Sequence, residues 1–311
     1  MKEQVLVVAG PTAVGKTRFG IALAQRFGGE IVSADSMQIY RGMDIGTAKA
    51  TKEERAQVPH HMLDVADPRE AYSVSRYVQE ASAVCDRLLR EGKTPVIVGG
   101  TGLYIDSLLA GRDFAGRQEG DDSLRRALGE EYDRLGGERM LETLRSFDPE
   151  RAEKLHPADT RRIVRAIEIF RLTGKTITQH DRETRARPPR YTSLRFFLNY
   201  ADRNDLYARI DRRVDDMLAQ GLFDEVCTLL AAGLSPETTA MQAIGYKEAA
   251  LALHGELGFE EAADLIRLNS RRYAKRQLTW FGRDTGAQRI VWQKEPDLDA
   301  ALAAAEPLLS T

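Results

Sequence analysis

The 311-residue chain has two cysteines and almost no net charge, and each scarcity closes off a class of protein. Cys85 and Cys227 stand far apart, without CxxC spacing or a Cys/His cluster. Neither a disulfide framework nor a zinc site is expected, and a reducing, cytoplasmic setting fits. A net charge of −2 exerts no global pull on nucleic acid, so any such contact must come from local basic stripes. No run approaches the roughly 18 apolar residues of a membrane span. The charged start Met1-Lys2-Glu3-Gln4 leads into an apolar stretch too short for a signal peptide. What is present, 42% hydrophobic and 30% charged residues, is the balance of a soluble globular protein of about two domains.

Against that background one segment stands out. Gly10-Pro11-Thr12-Ala13-Val14-Gly15-Lys16-Thr17 matches the phosphate loop G-x-x-x-x-G-K-[ST], and it follows an apolar run at residues 5–9 that reads as a buried strand. The two glycines let backbone N–H groups converge on phosphate oxygens, and the helix opening near Lys16 adds its positive end. Lys16 supplies a point charge. The Thr17 hydroxyl is a natural Mg²⁺ ligand beside a diphosphate. The loop leaves open which phosphate compound it holds.

Strand-like runs at residues 5–9, 30–34, 61–65 and 95–98 alternate with helical spacing at 16–27 and 74–90. This alternation predicts an α/β fold, a phosphate-loop parallel sheet with helices on both faces. From 113 to 190 the pattern becomes charged helical segments without a convincing strand, which predicts a helical insert. Arg187-Pro188-Pro189-Arg190 then breaks any helix, and residues 194–200 resume as a strand. The expected organisation is therefore a core of 1–112 and 191–311, closing with a strand at 288–292 and an Ala-rich helix, around an insert at 113–190.

Asp35 follows the second strand at its carboxyl end, where open α/β sheets bind their ligands. A carboxylate there can take a proton or hold Mg²⁺, or simply cap the next turn. The amide of Gln38 suits an adenine edge or plain surface exposure. Many phosphate-loop proteins end a core strand in an Mg²⁺-binding aspartate, but here the strand of Pro95 ends in Gly99-Gly100-Thr101-Gly102. Ordinary water activation is thereby disfavoured. The glycines allow a ligand to approach the backbone closely, or make an ordinary turn, and Thr101 adds a hydroxyl.

Together GPTAVGKT, SADSMQIYRGMDIGTAK, HHMLDVADP, VIVGGTGLY, HPADTRRIVRAIEIFRLTGK and YAKRQLTWF closely resemble the tRNA dimethylallyltransferase family, over residues 5–281. The resemblance implies transfer of the dimethylallyl group of dimethylallyl diphosphate to N6 of the adenosine 3′ of the anticodon. It also implies a fold like nucleoside phosphate kinases, with an insert that grips the tRNA anticodon stem-loop. By resemblance Asp35 is the general base and Thr101 assists its orientation. Ser36, Met37 and Gln38 fall where the family contacts the target nucleotide. Arg209 and Arg213, four apart on a predicted helix edge, can both reach the cleft or stand as a solvated pair, and the resemblance implies that at least one of them binds the diphosphate.

Two basic stripes are candidates for tRNA contact. One is the ridge Arg267, Arg271 and Lys275 with Arg272 and Arg276 beside it. The other lies in the insert, where Asp159, Arg162 and Arg165 match the family's HPxDxxRxxRA pattern, with Thr160, Arg161 and Ile163 in the same segment. Tyr273 and Trp280 suit core packing better than base stacking. His60 and His61, adjacent on a strand, point to opposite faces and do not share a metal. A monomer is expected. Other readings are a prenyltransferase for free adenine nucleotides, a phosphate-loop kinase, and an RNA-binding module without chemistry.

Overall fold

A strand with helices against both faces has no side to turn to water. β1 (Gln4–Ala9) behaves this way, with residues 5–9 all buried. In the computed structural model, which describes residues 4–111 and 123–309, it is joined by β2 (Gly29–Ser33), β3 (His60–His61), β4 (Thr94–Gly99), β5 (Thr192–Tyr200) and β6 (Gln288–Trp292). All pairings are parallel, in the order β3-β2-β4-β1-β5-β6. The carboxyl ends of β1, β2 and β4 are neighbours, so the phosphate loop, the Asp35 segment and the Gly99-Gly100-Thr101 turn leave the sheet side by side.

The crossovers are helical: α1 (Lys16–Arg26), α2 (Lys52–Gln57), α3 (Val74–Arg90) and α4 (Gly102–Ala110). Phe19 on α1 meets Phe196 on β5 edge to face at 5.6 Å, inside a core that includes Leu6, Leu23 and Leu198. Truncating such a buried phenylalanine to alanine costs about 3 to 5 kcal/mol.

The third strand is shorter than expected. Only His60 and His61 pair with β2, because Met62 (φ 63°) and Asp64 (φ 58°) turn into left-handed backbone and end the ladder. The turn delivers Asp64 to Lys49 at 2.6 Å and to Arg55 at 2.9 Å. His60 bonds the Val58 carbonyl, and His61 pairs with Glu30 at 2.6 Å. Among the described residues no cluster of acidic, histidine or cysteine side chains is arranged to hold a metal. Cys85 and Cys227 are both free thiols.

The chain divides into two compact units, residues 1–109 with 190–311, and residues 110–189. After β5 the larger unit adds α10 (Arg203–Ala219), α11 (Leu222–Ala231), α12 (Tyr246–Leu253), α13 (Phe259–Phe281) and α14 (Leu298–Leu309). The smaller unit, within its described residues, is wholly helical: α5 (Ser123–Leu135), α6 (Gly137–Arg145), α7 (Pro149–Ala152), α8 (Thr160–Thr173) and α9 (Ile177–Ala186). It has its own core around Leu128, Met140, Leu144, Ile163 and Ile167. The expected insert start at Asp113, like Met1, Lys2 and Glu3, lies outside the described residues. Among those described, no helix is long and apolar enough to cross a membrane.

Candidate active site

The phosphate loop is built on two glycines that no other residue replaces without strain. Gly10 (φ 152°) passes so close to β5 that a methyl group would lie 2.5 Å from the Leu198 carbonyl oxygen. Gly15 (φ 91°) opens α1 in left-handed backbone. The loop is held from behind: Trp292 Nε1 donates to the Val14 carbonyl at 2.9 Å, and the Thr12 N–H donates to Gln277 Oε1 at 2.9 Å. Lys16 Nζ donates back to the Pro11 carbonyl at 2.8 Å. Burial and the nearby Arg213 guanidinium push the Lys16 ammonium down to about 7, against the opposing pull of Asp35.

Residues 12–17 of the loop line a cleft of about 350 Å³ that also contains Asp35, Ser36, Met37, Gln38, Arg213, Tyr273 and Arg276. The two arginines of α10 separate here. Arg213 faces the cleft, its Nε buried without a hydrogen-bond partner and its Nη2 only 3.5 Å from the Thr47 carbonyl. Arg209, expected to reach the cleft as well, does not line it. Its guanidinium is drawn to Glu295 at 2.9 Å and to the Ala13 carbonyl at 3.4 Å, bracing the phosphate loop.

Asp35 both caps its turn and faces the cleft. Its Oδ1 accepts the Met37 N–H at 2.9 Å and the Gln38 N–H at 3.4 Å. Its Oδ2 accepts none among the described residues. The Thr101 hydroxyl bonds the neighbour of Asp35: its Oγ1 accepts the Ser36 N–H at 3.0 Å and donates to Ser36 Oγ at 3.3 Å, so it steadies the residue next door. Gln38 is engaged within the protein. Its Nε2 donates to the Thr47 and Ala48 carbonyls at 3.2 and 3.3 Å, and its Oε1 accepts from Ser33, which leaves little of the amide for an adenine edge.

The glycines at the end of β4 serve the chain's own packing, and Gly99 also lines the cleft. A methyl on Gly99 would lie 2.1 Å from the Ala34 carbonyl oxygen, one on Gly100 2.2 Å from Gln277 Nε2, and one on Gly102 2.3 Å from the Trp280 indole. Trp280, expected in the core, is 41% exposed and pinned by Nε1 to Asp106 at 2.9 Å. Tyr273, also expected in the core, lines the cleft, where burial and the charge of Asp35 hold its phenol protonated.

The IPP transferase family matches residues 38–284, and the isopentenyl transferase family matches residues 3–67. The chain belongs to the IPP transferase family. It is 47% identical to the tRNA dimethylallyltransferase of Caldanaerobacter subterraneus subsp. tengcongensis over 90% of this chain and 89% of that one. It is also 47% identical to tRNA dimethylallyltransferase 1 of Pelobacter propionicus, over 96% and 95%. The solved tRNA isopentenylpyrophosphate transferase of Bacillus halodurans superposes with a TM-score of 0.72 at 38% identity, covering 99% of this chain and 96% of that one. A eukaryotic dimethylallyltransferase acting on tRNA superposes at 0.84 with 30% identity, covering 99% and 79%.

For an IPP transferase the basic ridge of α13 is less uniform than its spacing implied. Arg267 is consumed by Asp215 and Asp264, both at 2.7 Å, and Arg271 leans on Asp211 at 3.4 Å. Asp211 and Asp215 reach this ridge from α10, and Asp264 stands on α13 itself, three residues before Arg267. The solvent-facing cations are Arg272, Lys275 and Arg276, the last stacked over the Tyr273 ring at 5.5 Å. In the helical unit Asp159 precedes α8 and accepts the His156 N–H at 3.0 Å, while Thr160 is partly buried and Arg161 and Arg162 are exposed. Arg165 pairs with the buried Glu168 at 2.7 Å. Ile163 is 0% exposed in the helical core, so it cannot contact tRNA.

Three residues with evident roles were not singled out from the sequence. Gln277 ties the phosphate loop to the Gly100 turn. The carboxylate of Glu225 accepts the N–H groups of Asp44, Ile45 and Gly46. Lys49 is buried between Asp44 and Asp64 at 2.6 Å from each. Gln277 and Lys49 sit inside the YAKRQLTWF and SADSMQIYRGMDIGTAK motifs, whose length was the available signal.

Proposed function

We propose that this chain transfers the dimethylallyl group of dimethylallyl diphosphate to N6 of the adenosine immediately 3′ of the anticodon in tRNA, releasing diphosphate. The observation that carries this reading is the meeting of a phosphate loop, Arg213 and Asp35 in one cleft, beside a strand that ends in Gly99-Gly100-Thr101 and not in a carboxylate. Anion-binding groups without a strand-end acid suit a diphosphate that leaves whole better than a phosphoanhydride that is split. Relatives named tRNA dimethylallyltransferase support the same substrate pair.

As the bond from N6 to C1 of the dimethylallyl group forms, the C1–O bond breaks and its electron pair departs with the diphosphate. Lys16, Arg213 and the N–H groups of the loop stabilise the charge that develops. The N6 proton passes to the free oxygen of the Asp35 carboxylate. Tyr273, held protonated, adds a phenol O–H donor to the same cleft.

The site also fits Mg²⁺. The Thr17 hydroxyl lines the cleft beside Lys16, and with diphosphate oxygens and water it makes the hard oxygen set that ion prefers. When bound, the ion adds charge neutralisation to the leaving group. The exposed Arg272, Lys275 and Arg276 of α13, and Arg161 and Arg162 of α8, supply cations for tRNA phosphates.

The test is to incubate labelled dimethylallyl diphosphate with unmodified tRNA, with AMP and with neither. Label in tRNA alone is expected. Label in AMP would make the chain a nucleotide prenyltransferase, and transfer of phosphate from labelled ATP would make it a kinase.

A further inference from the structure

We infer that Gln277 is a positioning residue that locks the phosphate loop in register with the turn carrying Thr101. Its side chain is 4% exposed and bridges two segments far away in sequence. Oε1 accepts the Thr12 N–H at 2.9 Å, and Nε2 donates to the Gly100 carbonyl at 2.9 Å. The orientation of the amide is forced, because a flip would set donor against donor at Thr12 and acceptor against acceptor at Gly100. Gly100 leaves no room to spare: a methyl group there would lie 2.2 Å from Nε2.

The two ends of this bridge belong to the two halves of the reaction. Thr12 is in the loop that takes the diphosphate. Gly100 precedes Thr101, which holds Ser36, the neighbour of Asp35. One turn earlier on the same helix Tyr273 lines the cleft. Gln277 therefore fixes how far the leaving group sits from the base without touching the reacting atoms, and a misplacement of about 1 Å can cost about 10²-fold in rate. The amide must also be neutral. A carboxylate would keep the Thr12 bond, lose the Gly100 bond and bring negative charge toward the diphosphate.

This inference rests on the proposed transfer reaction, and its test separates the two. Single-turnover rates with tRNA, and affinities for inorganic diphosphate and for tRNA, are measured for wild type, Gln277→Ala, Gln277→Glu, Gly100→Ala and the double variant Gly100→Ala/Gln277→Ala. Each single variant is expected to lose about 10- to 100-fold in the chemical step and to bind inorganic diphosphate more weakly, with tRNA affinity within about two-fold. The methyl group added by Gly100→Ala fits the space vacated by Gln277→Ala, so the double variant should lose no more than the worse single. Wild-type rates in the single variants, additive losses in the cycle, or a parallel fall in tRNA affinity would overturn it. If Gln277→Ala does not fold, unchanged rates in both Gln277→Glu and Gly100→Ala do so. Failure of wild type itself to transfer the prenyl group would instead refute the proposed function, and the diphosphate titrations would still decide the role of Gln277.

Discussion

Lys16 and Arg213 face one cleft as two like charges, and burial together with this repulsion holds the Lys16 ammonium down at about 7. A bound diphosphate reverses the repulsion and restores the charge. Above pH 7 binding should therefore take up a proton, and below it binding should not. Calorimetric titration of inorganic diphosphate in buffers of different ionisation enthalpy measures this directly. Uptake near zero at pH 6 and rising toward one at pH 8.5 is expected, and heats that are independent of buffer at both values would contradict it.

The same residue carries a stability cost. The folded value near 7 lies below the ordinary 10.5, so between them the unfolded chain holds a proton that the folded chain does not, and stability rises with pH through that window. Below about 7 both states hold the proton, so stability no longer changes with pH and the full cost of burying the charge remains. Lys16→Met should raise the Tm of the free protein at pH 6.5, roughly 2 to 4 °C for each kcal/mol relieved. It should also weaken diphosphate binding. A lower Tm at pH 6.5 would mean that the ammonium stabilises the loop.

Arg213→Ala and Arg209→Ala should differ. The first removes from the cleft a cation whose Nε has no hydrogen-bond partner and should weaken inorganic diphosphate at least about tenfold, the scale of a charge-assisted contact. Arg209 braces the loop through the Ala13 carbonyl and Glu295, so its loss should show mainly in Tm. Equal effects on diphosphate affinity would return both arginines to the cleft.

On α13, Arg272→Ala and Lys275→Ala should each lower the slope of log affinity for tRNA against log salt by about 0.7 to 0.9. Arg267→Ala should leave the slope unchanged, because Asp215 and Asp264 already neutralise it. Binding titrations at several salt concentrations separate the two sets. A fall for Arg267→Ala as large as for Lys275→Ala would contradict the assignment.

Much of the frame was legible because its signals are local. The apolar runs of β1 and β4, the helical stripe of α3 and the double proline before β5 each act within a few residues. The end of β3 was not, since left-handed backbone at Met62 and Asp64 brings Asp64 to Lys49, a partner from another segment. The same limit applies in the site. Spacing on α10 makes Arg209 and Arg213 look equivalent, and only Glu295 and the phosphate loop tell them apart. Spacing on α13 makes a continuous basic ridge, and the aspartates of α10 break it. Ile163 lay inside a recognisable motif, yet it is buried in a core that other helices of the unit complete.

The most direct test is the Asp35→Asn variant in single turnover with saturating enzyme, tRNA and donor. Asparagine keeps the shape of the turn and can still accept the Met37 N–H, but it cannot take the N6 proton. The chemical step should fall by about 10² to 10⁴-fold while affinities for tRNA and dimethylallyl diphosphate stay within a few-fold. A near-normal single-turnover rate would contradict the role of Asp35 as base, and a selective loss of Mg²⁺-dependent donor binding would make it a metal ligand instead.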